Sequence, residues 1–273
     1  MKHALRNPLA LIGFSIIAAI LLLALIAPWI APYDPNAINV KAILLAPETN
    51  HWMGTDGLGR DVLSRMLYGG RISLLVGFVA VGIATLIGIV LGAVAGFYRG
   101  WVDTVIMRTV DVMLSIPTFF LILAVIAFLT PSIWNIMIVI GLTSWMGVTR
   151  LVRAEFLSLR NREFVLAAQA LGAKDARLIF THLLPNSLTP IIVSSILGIA
   201  SAVLVESGLS FLGLGVQAPQ ASWGNILTDG KEYIQFAWWL SLFPGLAILL
   251  TVLGYNLLGD GLRDAYNPRS NQN

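Results

Sequence analysis

Residues 161–186 read NREFVLAAQALGAKDARLIFTHLLPN, a polar, helix-forming island between hydrophobic segments long enough to cross a bilayer. Its first half, residues 162–171, is rich in Ala, Leu, Glu, Gln and Arg, all good helix formers, and predicts a short helix. Gly172 stands where a helix ends through a left-handed residue. A second helix is expected over residues 174–183, stopped by Pro185, which has no N–H to donate. Within it Leu178 and His182, and Ile179 and Leu183, recur at i,i+4 and share a face. Helix, glycine turn, helix and Leu184-Pro185 describe a compact element presented to a partner. The alternative is a solvated helix pair that only links two spans.

The surrounding chain sets this island in a membrane. Of 273 residues, 57% are hydrophobic and 11% charged, where a soluble domain carries roughly 25% charged. Six spans can be drawn, at residues 9–30, 72–97, 107–129, 133–149, 188–212 and 236–258. Each approaches the ~20 apolar residues that a bilayer core requires. The fold class is therefore an all-α integral membrane protein. The first span follows Lys2 and Arg6 but is too long for the apolar core of a signal peptide, and no small-x-small cleavage site follows it. It is read as uncleaved. Eight Trp and six Tyr suit anchoring at the interfaces. Cysteine is absent, which excludes disulfides and thiolate chemistry.

Orientation follows from the basic residues, which concentrate on the cytoplasmic side. One side holds Lys2, Arg6, Arg99, Arg108, Arg263, Arg269 and the island with its flank (Arg150, Arg153, Arg160, Arg162, Lys174, Arg177). The other holds only Lys41, Arg60, Arg65, Arg71 and Lys231. Both termini and the island are thus expected in the cytoplasm. The net charge of +3 is explained by topology and does not call for a nucleic acid.

Ala167-Ala168, then Gly172, then Leu184-Pro185 have the spacing of the "EAA loop" and the island resembles it. That loop marks the membrane subunits of ATP-binding-cassette importers. The position before Ala167 is Leu166 rather than Glu, and the nearest carboxylate is Glu163, about one turn earlier; His182 takes a position that is usually apolar. Two further runs, GTDGLGRDVLSR from Gly54 and ESGLSFLGLGV from Glu206 with Pro219 and Ser222-Trp223-Gly224, resemble the dipeptide, oligopeptide and nickel branch of these permeases. So does the ending, with Asn256, Gly259-Asp260-Gly261 and Arg263-Asp264.

The intervening segments supply the remaining expectations. Residues 31–40, with Pro32 and Pro35, favour an extended exit from the first span. Thr55 or Asp56 is placed to cap a turn, with Gly57 and Gly59 allowing tight geometry. From Arg60 an amphipathic helix is expected to lie along the outer surface before the second span, with Asp61 and Arg65 as an i,i+4 pair. Gly88, Gly92 and Gly96 form a small-residue stripe for close helix packing. Arg108 and Asp111 are placed to neutralise each other, and Pro117 to kink the third span. Glu206 lies in apolar sequence, where a carboxylate must pair or face water. Two roles are open for it: an ion pair with an outside arginine such as Arg65 or Arg71, or a place at the outer gate. The glycines after it suggest a broken or re-entrant segment.

No G-x-x-x-x-G-K-[ST] loop and no H-E-x-x-H occur, so neither ATP binding nor His-based metal chemistry is expected of this chain. The resemblance implies a type I importer permease of three parts: residues 1–31, an outside loop at 32–71, and a core at 72–273. It implies a homologous second permease, two ATPase subunits that hold ATP and Mg, an extracytoplasmic binding protein, and the inner membrane. Coupling is implied at Glu163, Ala167, Ala168, Gly172, His182, Leu184 and Pro185, while the carboxylate in apolar sequence, the arginines open to it as partners and the proline kink make Glu206, Arg65, Arg71 and Pro117 the candidates for a pathway or gate. An ATP-independent transporter or channel is the competing class; it would need a relay of intramembrane ionisable groups, for which only Asp111 and Glu206 are candidates.

Overall fold

A computed structural model describes residues 7–266, and within them the chain is built from helices. Lys2, His3, Arg6 and the tail with Arg269 lie outside the described residues. Five helical segments are long and apolar enough to cross a membrane, and a bent helix pair makes a sixth.

The first, α1 (Pro8–Ile30), starts with Pro8 at its first turn and with the Asn7 side chain accepting from the Leu9 N–H, so an otherwise orphaned donor is satisfied. It packs on the last helix, α11 (Trp239–Tyr266), through glycines: a Cβ on Gly13 would lie 2.6 Å from the Gly254 carbonyl. Its other face carries Phe14, Leu22, Leu25 and Trp29, exposed as lipid-facing residues are.

The central helix is α2 (Val62–Tyr98). The expected surface helix is not separate from the second span: both belong to this one 37-residue helix, and a division at residues 71 and 72 falls inside it. At ~1.5 Å per residue it is about 55 Å long, well beyond a ~30 Å hydrocarbon core, so it is too long to lie wholly within the membrane. Its apolar pattern there is explained by burial under other parts of the chain; Val62, Ser64 and Arg65 are almost wholly enclosed. The expected Asp61–Arg65 pair does not form. Asp61 instead caps the helix, accepting from the Ser64 N–H at 2.8 Å, and meets His51.

After Arg99 come α3 (Gly100–Ser115) and α4 (Thr118–Ile126), whose axes differ by 82° across Pro117. The expected kink is thus a full break. The expected Arg108–Asp111 pair is replaced by Asp111 with Arg150, at 2.5 Å. The next span is formed by α5 (Ile133–Leu142) and α6 (Trp145–Arg160), and it runs 11 residues beyond the expected limit at 149. The glycine stripe of α2 faces α6. A Cβ on Gly88 would meet Val148, on Gly92 Thr149 and Val152, and on Gly96 Phe156, so the two backbones approach where only glycine fits. Arg153 on α6 is held by both carboxylate oxygens of Asp103 on α3.

The island forms α7 (Glu163–Ala170), then α8 (Asp175–Arg177), a π-helical turn (Leu178–Leu183) and α9 (Leu184–Phe211). Pro185 does not stop the second helix. The helical path runs unbroken from Asp175 to Phe211. The wide π turn just before the proline accounts for this, because i→i+5 bonding opens the ladder where the proline ring would clash and where no N–H can be given. After α9, Gly213 (φ +80°) turns the chain into a loop leading to α10 (Trp223–Lys231), which packs on α9, α11 and the start of α2.

Candidate functional site

At one end of the helices lies the α7–α9 platform. Helix α7 closes through both bonds of a Schellman motif: the Gly172 N–H donates to the Gln169 carbonyl at 2.9 Å, and the Ala173 N–H to the Ala168 carbonyl at 3.0 Å. Gly172 has φ +78°, and nothing lies within 4 Å of a Cβ built on it, so backbone conformation alone demands glycine here. The motif folds α7 back on the π turn, where the Phe164 and His182 rings lie 6.4 Å apart.

The platform has an inner and an outer face. Inside, Val165, Leu178 and Leu183 are buried in one cluster with Phe97 of α2, Val152 and Phe156 of α6, and Ile191 of α9. The anchoring pair is Leu178 with Leu183, five residues apart; the expected i,i+4 faces are shifted by the π turn, which leaves His182 half-buried. Arg160, closing α6, donates to the Phe97 carbonyl and stacks over its ring at 5.4 Å. Outside, Leu171 is 89% and Phe180 68% exposed, with Phe164 and Leu166 also open. Arg162, Glu163, Lys174 and Arg177 ring them, and Ala167 and Pro185 are exposed while Ala168 and Leu184 are half-buried. An apolar centre with a charged rim, mounted on a buried cluster, has the anatomy of a protein docking surface.

At the opposite end Glu206 on α9 is fully buried. It pairs with neither Arg65 nor Arg71. Its two oxygens accept from the Ser210 hydroxyl at 2.7 Å and the Ser73 hydroxyl at 3.2 Å. Ser73 in turn accepts from the Trp223 N–H, and Ser210 from the Val216 N–H. Glu206 thus ties α2, α9, the loop after it and α10 together, and it lines no open gate in this conformation. Arg71 is exposed, 5.9 Å over the Tyr68 ring, and Pro117 sits at the α3–α4 break. None of the four expected gate residues lines the cavity described next.

Arg65 belongs to a different cluster, which sequence reasoning missed. With Arg60 it shares Asp56 and Asp229: Arg60 Nε lies 2.6 Å from Asp56, and both guanidinium groups reach Asp229 Oδ2, at 3.2 and 3.4 Å. These pairs clamp α10 on the start of α2. Burial pushes the Asp229 carboxyl above its ordinary value, while Arg65 and Arg60 pull it back. The only sequence signal was the carboxylate of Asp229 beside the Trp223 run, and nothing local pairs it with residues far back in the chain.

Between α2, α5, α6 and α9 lies a cavity of about 230 Å³, lined by Ala80, Thr85, Ser144, Ser195, Gly198 and Ser201 among others. The Thr85 and Ser195 hydroxyls are 2.9 Å apart. Its lining mixes small and hydroxyl side chains with the apolar Val81, Ile140, Val148 and Val205 and carries no charge.

Residues 88–272 match the family of binding-protein-dependent transport system inner membrane components, and residues 1–47 match the N-terminal membrane domain of oligopeptide transport permease C. The chain belongs to the binding-protein-dependent transport permeases. A dipeptide transport system permease protein of Alkalihalophilus pseudofirmus is 46% identical across 98% of this chain and 88% of its own length. The oligopeptide transport system permease protein of Bacillus subtilis is 40% identical, covering 96% of this permease and 86% of that one. Among solved structures, the MetNI methionine ABC transporter shares the fold with a TM-score of 0.62 at 17% identity, covering 76% of this chain and 98% of that one. This permease is therefore a multi-pass inner-membrane protein of a binding-protein-dependent transport system, and it has the type I permease fold.

Proposed function

We propose that this permease carries dipeptides or short oligopeptides inward as half of a two-permease pathway, driven by separate ATPase subunits docked on the α7–α9 platform. The single observation that carries this reading is the platform itself, an exposed apolar face around Leu171 and Phe180 fixed to the α2–α6–α9 core by Val165, Leu178 and Leu183. Peptide as the cargo rests on the dipeptide and oligopeptide relatives. Glu163, Ala167, Ala168, Gly172, His182, Leu184 and Pro185 would be the coupling set, with both chain ends and the platform in the cytoplasm. The pathway surface would be the hydroxyl-lined cavity by Thr85 and Ser195.

In this scheme ATP and Mg belong to the partner ATPases, and this chain performs no hydrolysis. A binding protein delivers peptide from outside. ATP can favour one state only through contacts that differ between states. Those contacts are made on the platform, and the buried leucines pass its movement to the spans.

The test is a pull-down from solubilised membranes, comparing the intact chain with one whose residues 162–184 are replaced by a flexible linker, alongside uptake of labelled dipeptide. ATPase recovery and uptake with the intact chain alone support the reading. Equal ATPase recovery with both chains removes the docking site from the platform, and uptake that survives loss of ATPase binding points to an ATP-independent transporter.

A further inference from the structure

At the end of the molecule away from the platform, an apolar cavity and a smaller one of mixed polar and apolar lining share a wall. The larger, about 480 Å³, is an apolar groove between α1, the start of α2, and α11, lined by Leu23, Ala24, Leu67, Phe243, Ala247 and the ring of Trp223. The smaller, about 270 Å³, is lined by Pro32, Tyr33, Thr49 and Asn50. Ile30, Trp52 and Leu63 belong to both.

We propose that this pair of cavities is a binding site for one membrane glycerophospholipid, with an acyl chain in the groove and the glycerol-ester region in the polar compartment. The size of the groove fits: an apolar cavity of about 150 Å³ takes a benzene ring, so the groove holds on the order of three such volumes, or one long acyl chain. Its position fits too. The groove lies among residues of three membrane-spanning helices, and its lining includes exposed Leu23, Leu246 and Leu250, so it opens on the hydrocarbon of the bilayer. Trp29 and Trp52, 81% and 74% exposed, mark the level where indole rings favour the membrane interface, and the polar compartment begins there.

The polar compartment is built before any ligand enters. The Tyr33 hydroxyl donates to the Asn50 carbonyl at 3.0 Å, the Tyr33 N–H to Ser64 at 3.1 Å, and the Trp52 indole to the Thr49 carbonyl at 3.1 Å. A second helix in the groove would fill its apolar part and leave the polar part unused, whereas a phospholipid matches both. The acyl chain would also touch Trp223, whose indole donates to the Met66 carbonyl and whose N–H meets Ser73 beside Glu206. The lipid therefore supports the joint between α10 and α2. This inference rests on membrane insertion alone and is independent of the cargo and of the ATPase docking face.

The test uses the assembled transporter in nanodiscs of phosphatidylethanolamine and phosphatidylglycerol containing a trace of phospholipid with a diazirine on its acyl chain. After irradiation, adducts are mapped by peptide mass spectrometry. Labelling of residues 63–70 and 243–250 should exceed that around Leu86, which is 69% exposed on α2. Ala247→Trp, which fills the groove, should lower the groove adducts several-fold and leave those at Leu86 unchanged. Uniform labelling of the wild-type transporter overturns the proposal, and needs no variant to fold. So does crosslinking of Leu246→Cys, the sole thiol in a chain without cysteine, to a neighbouring permease subunit.

Discussion

Leu178 and Leu183 lie five residues apart and are both fully buried, on one face of a π-helical turn that precedes Pro185. They fix the platform to α2 and α6. Because the pair shares a cluster with Val165, whatever pushes on α7 also pushes on the spans.

Leu178→Ala should destabilise this joint by about 2–5 kcal/mol, the usual cost of emptying a buried leucine site. Thermal unfolding in detergent should fall, and ATPase stimulation by substrate should fall further than ATPase recovery. Leu171→Ala, on the exposed face, should leave unfolding unchanged and weaken ATPase recovery.

The α2–α6 contact makes a contrasting pair of glycine predictions. A Cβ on Gly92 would lie 2.7 Å from Thr149 O and from Val152 Cβ, while nothing lies within 4 Å of one on Gly82. Gly92→Leu should therefore cost at least the ~1–3 kcal/mol typical of overpacking. Gly82→Ala should be neutral or stabilising by up to about 1 kcal/mol through helix propensity. Equal melting temperatures for the two variants would contradict the packing role of the stripe.

Much of this was legible in the chain because it is local. Span existence follows from composition along each run of ~20 residues, and the Gly172 turn and the glycine stripe from spacing within about two helical turns. Where the reading failed, the cause was tertiary. The run after Arg60 reads as a surface helix because its amphipathic pattern cannot say whether the covering apolar layer is lipid or α10 and α11. Asp61 and Arg65 have the spacing of a pair, yet Asp61 is taken by the helix cap and Arg65 by Asp229, 164 residues away. Pro185 carries a stop signal that the π turn overrides. Glu206 stands out in the sequence as a carboxylate among apolar residues, but its serine partners come from two helices and could not be chosen from composition.

Glu206→Gln keeps an acceptor for one serine and should melt close to the wild type. Glu206→Leu removes both and leaves two buried hydroxyls short of a partner, at about 1–3 kcal/mol each. The measurement is thermal unfolding of both variants in one detergent. Equal losses for Gln and Leu would show that charge rather than hydrogen bonding matters there.

Asp229 gives a pH dependence. Burial raises its carboxyl above the ordinary value of 3.8 despite Arg65 and Arg60, so the folded chain holds this proton more tightly than the unfolded one. Stability from this group is thus greatest below the ordinary value and declines as pH rises through the raised one. Asp229→Asn should remove that decline, so the stability difference between variant and wild type should move in the variant's favour as pH rises through the raised value. A change in the opposite direction would mean that the arginines dominate.

The central claim is that the α7–α9 platform meets an ATPase in the cytoplasm. The most direct measurement is crosslinking from Leu171→Cys, the only thiol in the chain, in sealed membranes of the assembled transporter. The account predicts a crosslink to the ATPase subunit whose yield changes with ATP, and protection from a membrane-impermeant thiol reagent added outside. Labelling from outside with no ATPase crosslink would contradict it.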